Sequence, residues 1–149
     1  MYIVHDSRSD EILRLEHLLE GFNYTVWLNT YGPFELNRTL EEQLSHSIGN
    51  EVIIGSHSSV TPSEARSEIT ERLLHLGDEG YGPIDLTAKH AEILNLLETL
   101  LKNINLDHAN TVTSFWLTKG HPAYPVFWEF SFDIISDGKR LILMGSSSD

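Results

Sequence analysis

The stretch that decides the fold is VFWEFSFDIISDGKRLILMG, residues 126–145. Its even positions run Val126, Trp128, Phe130, Phe132 and Ile134, with Glu129, Ser131 and Asp133 between them. A two-residue period of this kind marks a half-buried antiparallel strand, because successive side chains leave a strand on opposite faces. Asp137-Gly138 then stands between two strand-like runs and predicts a hairpin with a type I′ turn, whose two central residues both need positive φ. With that turn as the loop, Ile134 faces Leu141, Phe132 faces Leu143 and Phe130 faces Gly145 on one side of the ladder. On the other side Glu129 faces Ser146, and Asp133 lies diagonal to Arg140. A slip of one residue would turn every apolar side chain outward, so the pattern fixes the register. A third strand, Thr111 to Thr118, joins this pair through the loop that begins at Lys119.

Upstream the patterns turn helical. Asp85 or Thr87 caps a helix ending near Asn103 or Asn105. Its Ile93, Leu94, Leu96, Leu97, Leu100, Leu101 and Ile104 cover more than half of the helical circumference, which predicts a central helix packed across the C-terminal sheet. Thr61-Pro62-Ser63-Glu64 combines an N-cap, a proline at the first helical position and a capping-box glutamate. The helix it opens reaches about Leu76, with Ala65, Ile69, Leu73 and Leu76 inward. Thr39 and Glu42 repeat the capping spacing for a short helix ending near Ser47. Ile12, Leu15, Leu19 and Phe22, with Leu18 beside them, stripe a first helix capped by Ser7 or Ser9.

Tyr2 to His5 reads as an edge strand or a lead into the first helix. Tyr24 to Leu28 and Glu51 to Gly55 read as strands, the former broken by Tyr31-Gly32-Pro33. Trp27 faces away from Tyr24, Val26 and Leu28, so the second face of that strand is either covered or a contact surface. Together these patterns give one α+β domain: three or four helices on one side of an antiparallel sheet. Residues 1–107 are mostly helical and acidic, and 108–149 form a three-stranded C-terminal meander.

Charge is the one outlier in composition. Ten Lys and Arg stand against 22 Asp and Glu, a net charge of −12. Residues 1–107 hold 18 acids and 7 bases, whereas 108–149 hold 4 and 3, so the field belongs to the helical part. Such a field opposes binding to nucleic acid or to an anionic membrane and attracts a basic protein. The chain has no cysteine, which excludes disulfides, thiolate chemistry and cysteine-held zinc. No apolar run approaches the ~20 residues of a membrane span, and the N-terminus lacks the regions of a signal peptide. A soluble cytoplasmic protein is expected.

Motifs for chemistry are scarce. The eight histidines form none of the paired metal-binding spacings. His17 with Glu20 and Glu71 with His75 share helix faces as solvated pairs, and no metal or cofactor is expected. Gly55-Ser56-His57-Ser58-Ser59 follows a strand and precedes a helix, but it lacks the G-x-S-x-G pattern and reads as a polar connection. Glu129 and Asp133 share a strand face roughly 13 Å apart at strand rise, too far for a joint acid–base step, and read as solvent-facing.

Two surfaces remain as candidates. One is the acidic surface of Glu64, Glu68, Glu71, Asp78 and Glu79, suited to a basic partner. The other is the loop 119–125, with Lys119, His121 and Tyr124 between rigid flanks and Trp116 and Trp128 near its base. Aromatic side chains on such a loop bring contact area at small entropic cost, so a small-molecule site or an enzyme is the alternative there. A third possibility is an oligomerising module whose second sheet face exposes Phe127, Ile135, Ile142 and Met144. In size, acidity and lack of a catalytic motif the chain resembles small bacterial immunity or inhibitor proteins. That likeness of class implies a non-enzymatic domain that neutralises a basic partner and assigns no residue a role.

Overall fold

The computed structural model describes residues 8–75 and 82–149. In chain order it contains α1 (Asp10–Leu18), β1 (Thr25–Glu35), α2 (Leu40–Ile48), β2 (Ile53–Val60), α3 (Pro62–Leu73) and α4 (Leu86–Asn103). A 3-10 turn (Leu106–His108) leads to β3 (Thr111–Lys119), β4 (Trp128–Ser136) and β5 (Lys139–Ser148). All five strands join in one antiparallel sheet of order β1-β5-β4-β3-β2. The α+β reading with a C-terminal meander holds.

The hairpin register is the one the alternation demands. Ile134 pairs with Leu141, Phe132 with Leu143, Phe130 with Gly145 and Glu129 with Ser146. Asp137 and Gly138 sit at φ 53° and 74°, the positive values a type I′ turn requires. Val126, counted in the alternation, lies outside the strand and is 53% exposed. Its N–H bonds Ser147 O at 2.8 Å, so the chain is already leaving the ladder there.

Three helices, α1, α3 and α4, pack on one face of the sheet, as the three or four expected there, and α2 takes the other. Ile12, Leu15 and Leu18 of α1, Ala65, Ile69 and Leu73 of α3, and Ile93, Leu97, Leu100 and Leu101 of α4 share one core with Val26, Leu28, Phe130, Phe132, Ile134 and Leu143. The backbone of α4 runs closest to α1. On the opposite face Leu44 of α2, with Leu40 and Ile48, packs on Val52, Phe115, Ile142 and Met144. Spacing of four residues puts Leu40, Leu44 and Ile48 on one side of α2, which gives the helix a face to bury. Trp27 and Tyr31 pack against this second cluster. The second face is therefore covered, and Ile142 and Met144 are fully buried rather than exposed for assembly.

Capping follows the sequence. Ser9 Oγ accepts from Ile12 N–H, and Thr61 and Glu64 make a reciprocal capping box with Pro62 beside them. Thr39 Oγ1 accepts from Glu42 N–H at 3.1 Å, and Gly49 closes α2 in the left-handed region. At α4, Asp85 holds the cap position in the left-handed region without a side-chain cap. Phe22 is 70% exposed because α1 stops at Leu18 and the chain reverses through Gly21 and Asn23, the latter at φ 62°.

Two segments, β1 and β2, differ from their expected form. β1 continues through Tyr31-Gly32-Pro33, with a register shift between Tyr31 and Phe34 that absorbs the irregular residues. Gly32 is required there, because at φ +110° a Cβ would lie 2.6 Å from Arg140 O. β2 runs to Val60, so Ser56, His57, Ser58 and Ser59 belong to a strand paired with Trp116 to Thr113. A polar edge strand suits the margin of a sheet, and no turn exists there to present a nucleophile. The serine tail is interior: Ser146 and Ser147 are buried between β4 and β1, which pair on either side of β5. Tyr2 to His5, Ser7, Leu76, Asp78 and Glu79 lie outside the described residues. Among the described residues, no helix is long and apolar enough to cross a membrane.

Candidate functional site

The sheet is not continuous along its whole length. β3 and β4 pair only from Thr111–Ile135 to Ser114–Phe132. Beyond that point β3 continues to Lys119 against β2, while β4 begins at Trp128 against β5. The strands part toward the connecting loop and leave a cleft of about 340 Å³. It is lined by Glu68 and Arg72 of α3, Ser114 and Trp116 of β3, and Glu129 and Phe130 of β4, among others. Two larger, more open hollows of about 500 and 510 Å³ flank α2.

Glu129 links this cleft to the loop. On the α2 face of the sheet it sits in one cross-strand row with Ser146 and Trp27. His121 folds over this row, its ring edge-on to Trp27 at 5.7 Å and its Nε2 3.8 Å from Glu129 Oε2. Ala123 N–H donates to His121 Nδ1 at 3.0 Å. Nδ1 also lies 3.2 Å from Ala123 O, so it accepts from the N–H in one tautomer and donates to the carbonyl in the other. Nε2 is buried and has no hydrogen-bond partner.

Burial sets the electrostatics of the pair. It pushes the His121 imidazole below its ordinary pKa, against a smaller opposing effect of the Ala123 backbone. It also raises the Glu129 carboxyl above the usual range. Both shifts favour neutral groups. Neither describes a tight ion pair.

The cleft holds one further unmatched group. Arg72 Nε is buried without a hydrogen-bond partner. Among the described residues Arg72 makes no ion pair, although Glu68 lies one helical turn before it.

The expected site residues therefore divide. Trp116, 52% exposed, forms a wall of the cleft, and His121 approaches through Glu129. Glu68, expected on the acidic surface, lines the same cleft, while Glu64 and Glu71 stand exposed along α3. Lys119 turns away to pair with Glu51 at 2.5 Å. Tyr124 is 87% exposed and lines none of the hollows described above. Trp128 lies on the opposite face in the core, its Nε1–H donating to Tyr24 Oη at 2.8 Å. Phe127, its neighbour, packs at the margin of that core with its ring 5.4 Å from Tyr24.

Sequence reasoning missed Glu129 and Arg72. Glu129 was expected to face solvent, but the row it shares with Trp27 is half covered by His121. Arg72 carried a readable signal, its position one turn after Glu68. Where β3 and β4 separate carries none. Among the described residues, no group of three His, Asp or Glu side chains is placed to hold a metal ion.

Comparison with known proteins adds little. No family profile and no curated protein matches the chain. A crystal structure of citrus MAF1 is similar, with a TM-score of 0.47, 13% sequence identity, and coverage of 93% of this chain and 98% of that one. A likeness at this level carries no functional argument, and the fold description rests on the topology above.

Proposed function

We propose that this chain is a non-enzymatic binding domain for a basic protein, in the manner of small immunity or inhibitor proteins, with the outer side of α3 as its contact surface. One observation carries the reading. Seven acids elsewhere are matched by a cation, Glu16 by Arg8, Glu92 by Arg14, Glu98 and Asp107 by Arg66, Glu51 by Lys119, Glu35 by Lys139 and Asp133 by Arg140, while others such as Glu11, Glu20 and Asp85 stand at separate places in the chain, outside α3. Glu64, Glu68 and Glu71 have no such partner among the described residues. Three unmatched carboxylates on one helix, in a chain of net charge −12, form a field that a basic surface would complement. The same field opposes nucleic acid and anionic membranes. The reading places the protein in the cytoplasm, with which a cysteine-free sequence is compatible.

The test is affinity capture from the native host across a salt series, followed by titration of the identified partner. A basic partner should weaken steeply with salt, and the double variant Glu64→Lys, Glu71→Lys should lose it. A partner whose affinity ignores both salt and the charge reversal would overturn the reading.

A further inference from the structure

We propose that the cleft between β3 and β4 binds a small zwitterion of the α-amino acid class, its carboxylate on Arg72, its ammonium between Glu68 and Glu129, and its side chain along the Trp116 indole. The inference goes beyond the protein-binding reading and does not depend on it.

The cleft's volume of about 340 Å³ falls at the small end of the ~300–1,000 Å³ range of ligand pockets. Its lining brings one guanidinium and two carboxylates to a single concavity. These charges do not satisfy one another. Among the described residues Arg72 is in no ion pair and its buried Nε lacks an acceptor. The Glu129 carboxyl likewise meets, among the described residues, only the buried His121 Nε2, at 3.8 Å. A buried donor without an acceptor is uncommon in a folded protein and asks for an explanation.

The kind of ligand follows from the groups left unmatched. A simple anion would satisfy Arg72 but would be repelled by Glu68 and Glu129. A simple cation would satisfy the carboxylates and leave the guanidinium without an acceptor. A molecule carrying both charges a few bonds apart meets both demands. The planar guanidinium fork is suited to a carboxylate, and an ammonium beside an exposed indole also gains from the face of the ring. Phe130 and Trp116 supply the apolar wall that a side chain needs. The parted strands add to this, because from Phe115 onward β3 has a strand partner on the β2 side alone. Backbone groups along the cleft are thus available to a polar ligand.

The test is isothermal titration calorimetry of the full chain with each of the standard free L-α-amino acids. At least one should bind, and its N-acetyl derivative and its methyl ester should each bind roughly tenfold more weakly or worse, since each removes one charged contact. Arg72→Gln should abolish binding, with circular dichroism confirming the fold. Glu68→Gln, at a part-exposed helix position, should weaken it by a similar factor and gives a second readout if the arginine variant fails to fold. Absence of binding by every amino acid would overturn the proposal. So would equal affinity for the blocked derivatives, or unchanged affinity in the folded variants. Any of these failures leaves capture of a basic protein by α3 untouched.

Discussion

Phe130 and Gly145 face each other across the β4–β5 ladder so closely that a methyl group on Gly145 would have no room. A Cβ there would lie 2.5 Å from Phe130 Cζ and 2.7 Å from Leu28 Cδ2. The sheet thus uses the residue without a side chain to seat the aromatic one. Phe130 continues a run of rings, stacked on Trp128 at 5.7 Å and tilted against Phe132 at 5.8 Å, so it cannot move aside alone. Gly145→Ala should cost about 1–3 kcal/mol, the usual penalty of overpacking a filled core. Urea unfolding measures it. A variant as stable as the parent would show that the ring stack yields freely.

The same aromatic run ends in a polar contact. Trp128 Nε1–H donates to Tyr24 Oη at 2.8 Å, both side chains being buried. Burial raises the Tyr24 hydroxyl above its ordinary pKa, which keeps it a neutral acceptor at physiological pH. Tyr24→Phe preserves the ring but orphans the indole donor, so it should lower stability by about 1–3 kcal/mol. Paired with Trp128→Phe it should show strong coupling, because the second change removes the orphan. Additive losses would argue that water takes the place of the hydroxyl.

How much of this was legible in the sequence depends on how many signals agreed at each place. The hairpin at Asp137-Gly138 was legible because turn chemistry, alternation and residue size demanded one register. α3 was legible from its first three residues for the same reason. The docking of β1 against β5 was not, because Ser146, Ser147 and Ser148 carry no apolar pattern; their small size, not their hydrophobicity, admits the neighbouring strand. Trp27, on the wrong side of an otherwise alternating strand, signalled a second face that is either covered or a contact surface, but not that α2 would cover it. The cleft was illegible for a different reason. It arises where ladder pairing stops after Ser114–Phe132, a matter of tertiary geometry that no periodicity records. Its chemical groups were in view, but their meeting was not.

On the α2 face one ion pair is enclosed. Arg140 Nε donates to Asp133 Oδ1 at 2.9 Å, and another guanidinium nitrogen donates to Arg38 O at 2.9 Å. The side chains of Arg140 and Asp133 are 12% and 6% exposed. Burial raises the Asp133 carboxyl while the Arg140 contact opposes that shift, so desolvation consumes much of what the pair gains. Asp133→Ala strands a guanidinium in a dry setting and should cost about 3–5 kcal/mol. Asp133→Asn keeps an acceptor for Arg140 and should cost distinctly less. Equal losses in urea unfolding for the two variants would refute the view that the acceptor, rather than the charge, is what matters here.

His121 and Glu129 should leave opposite marks on stability as pH changes. The folded imidazole has its pKa lowered by burial, so on acidification the unfolded chain takes up the proton first. Its contribution is complete above about pH 6.5, the ordinary histidine value, and is lost as pH falls from there toward the folded value. Glu129 is raised by burial, so the folded chain holds its proton longer. Its contribution is complete below about pH 4.3 and is lost as pH rises toward its folded value. His121→Asn, which retains an acceptor for Ala123 N–H, should therefore soften the loss of stability on acidification just below pH ~6.5. Glu129→Gln should stabilise the protein near neutrality and make no difference once the carboxyl is protonated in both states. Urea midpoints collected from about pH 4 to pH 8 separate the two windows. A His121→Asn curve that runs parallel to the parent through the upper window would mean that the imidazole is not desolvated by Trp27 and its loop.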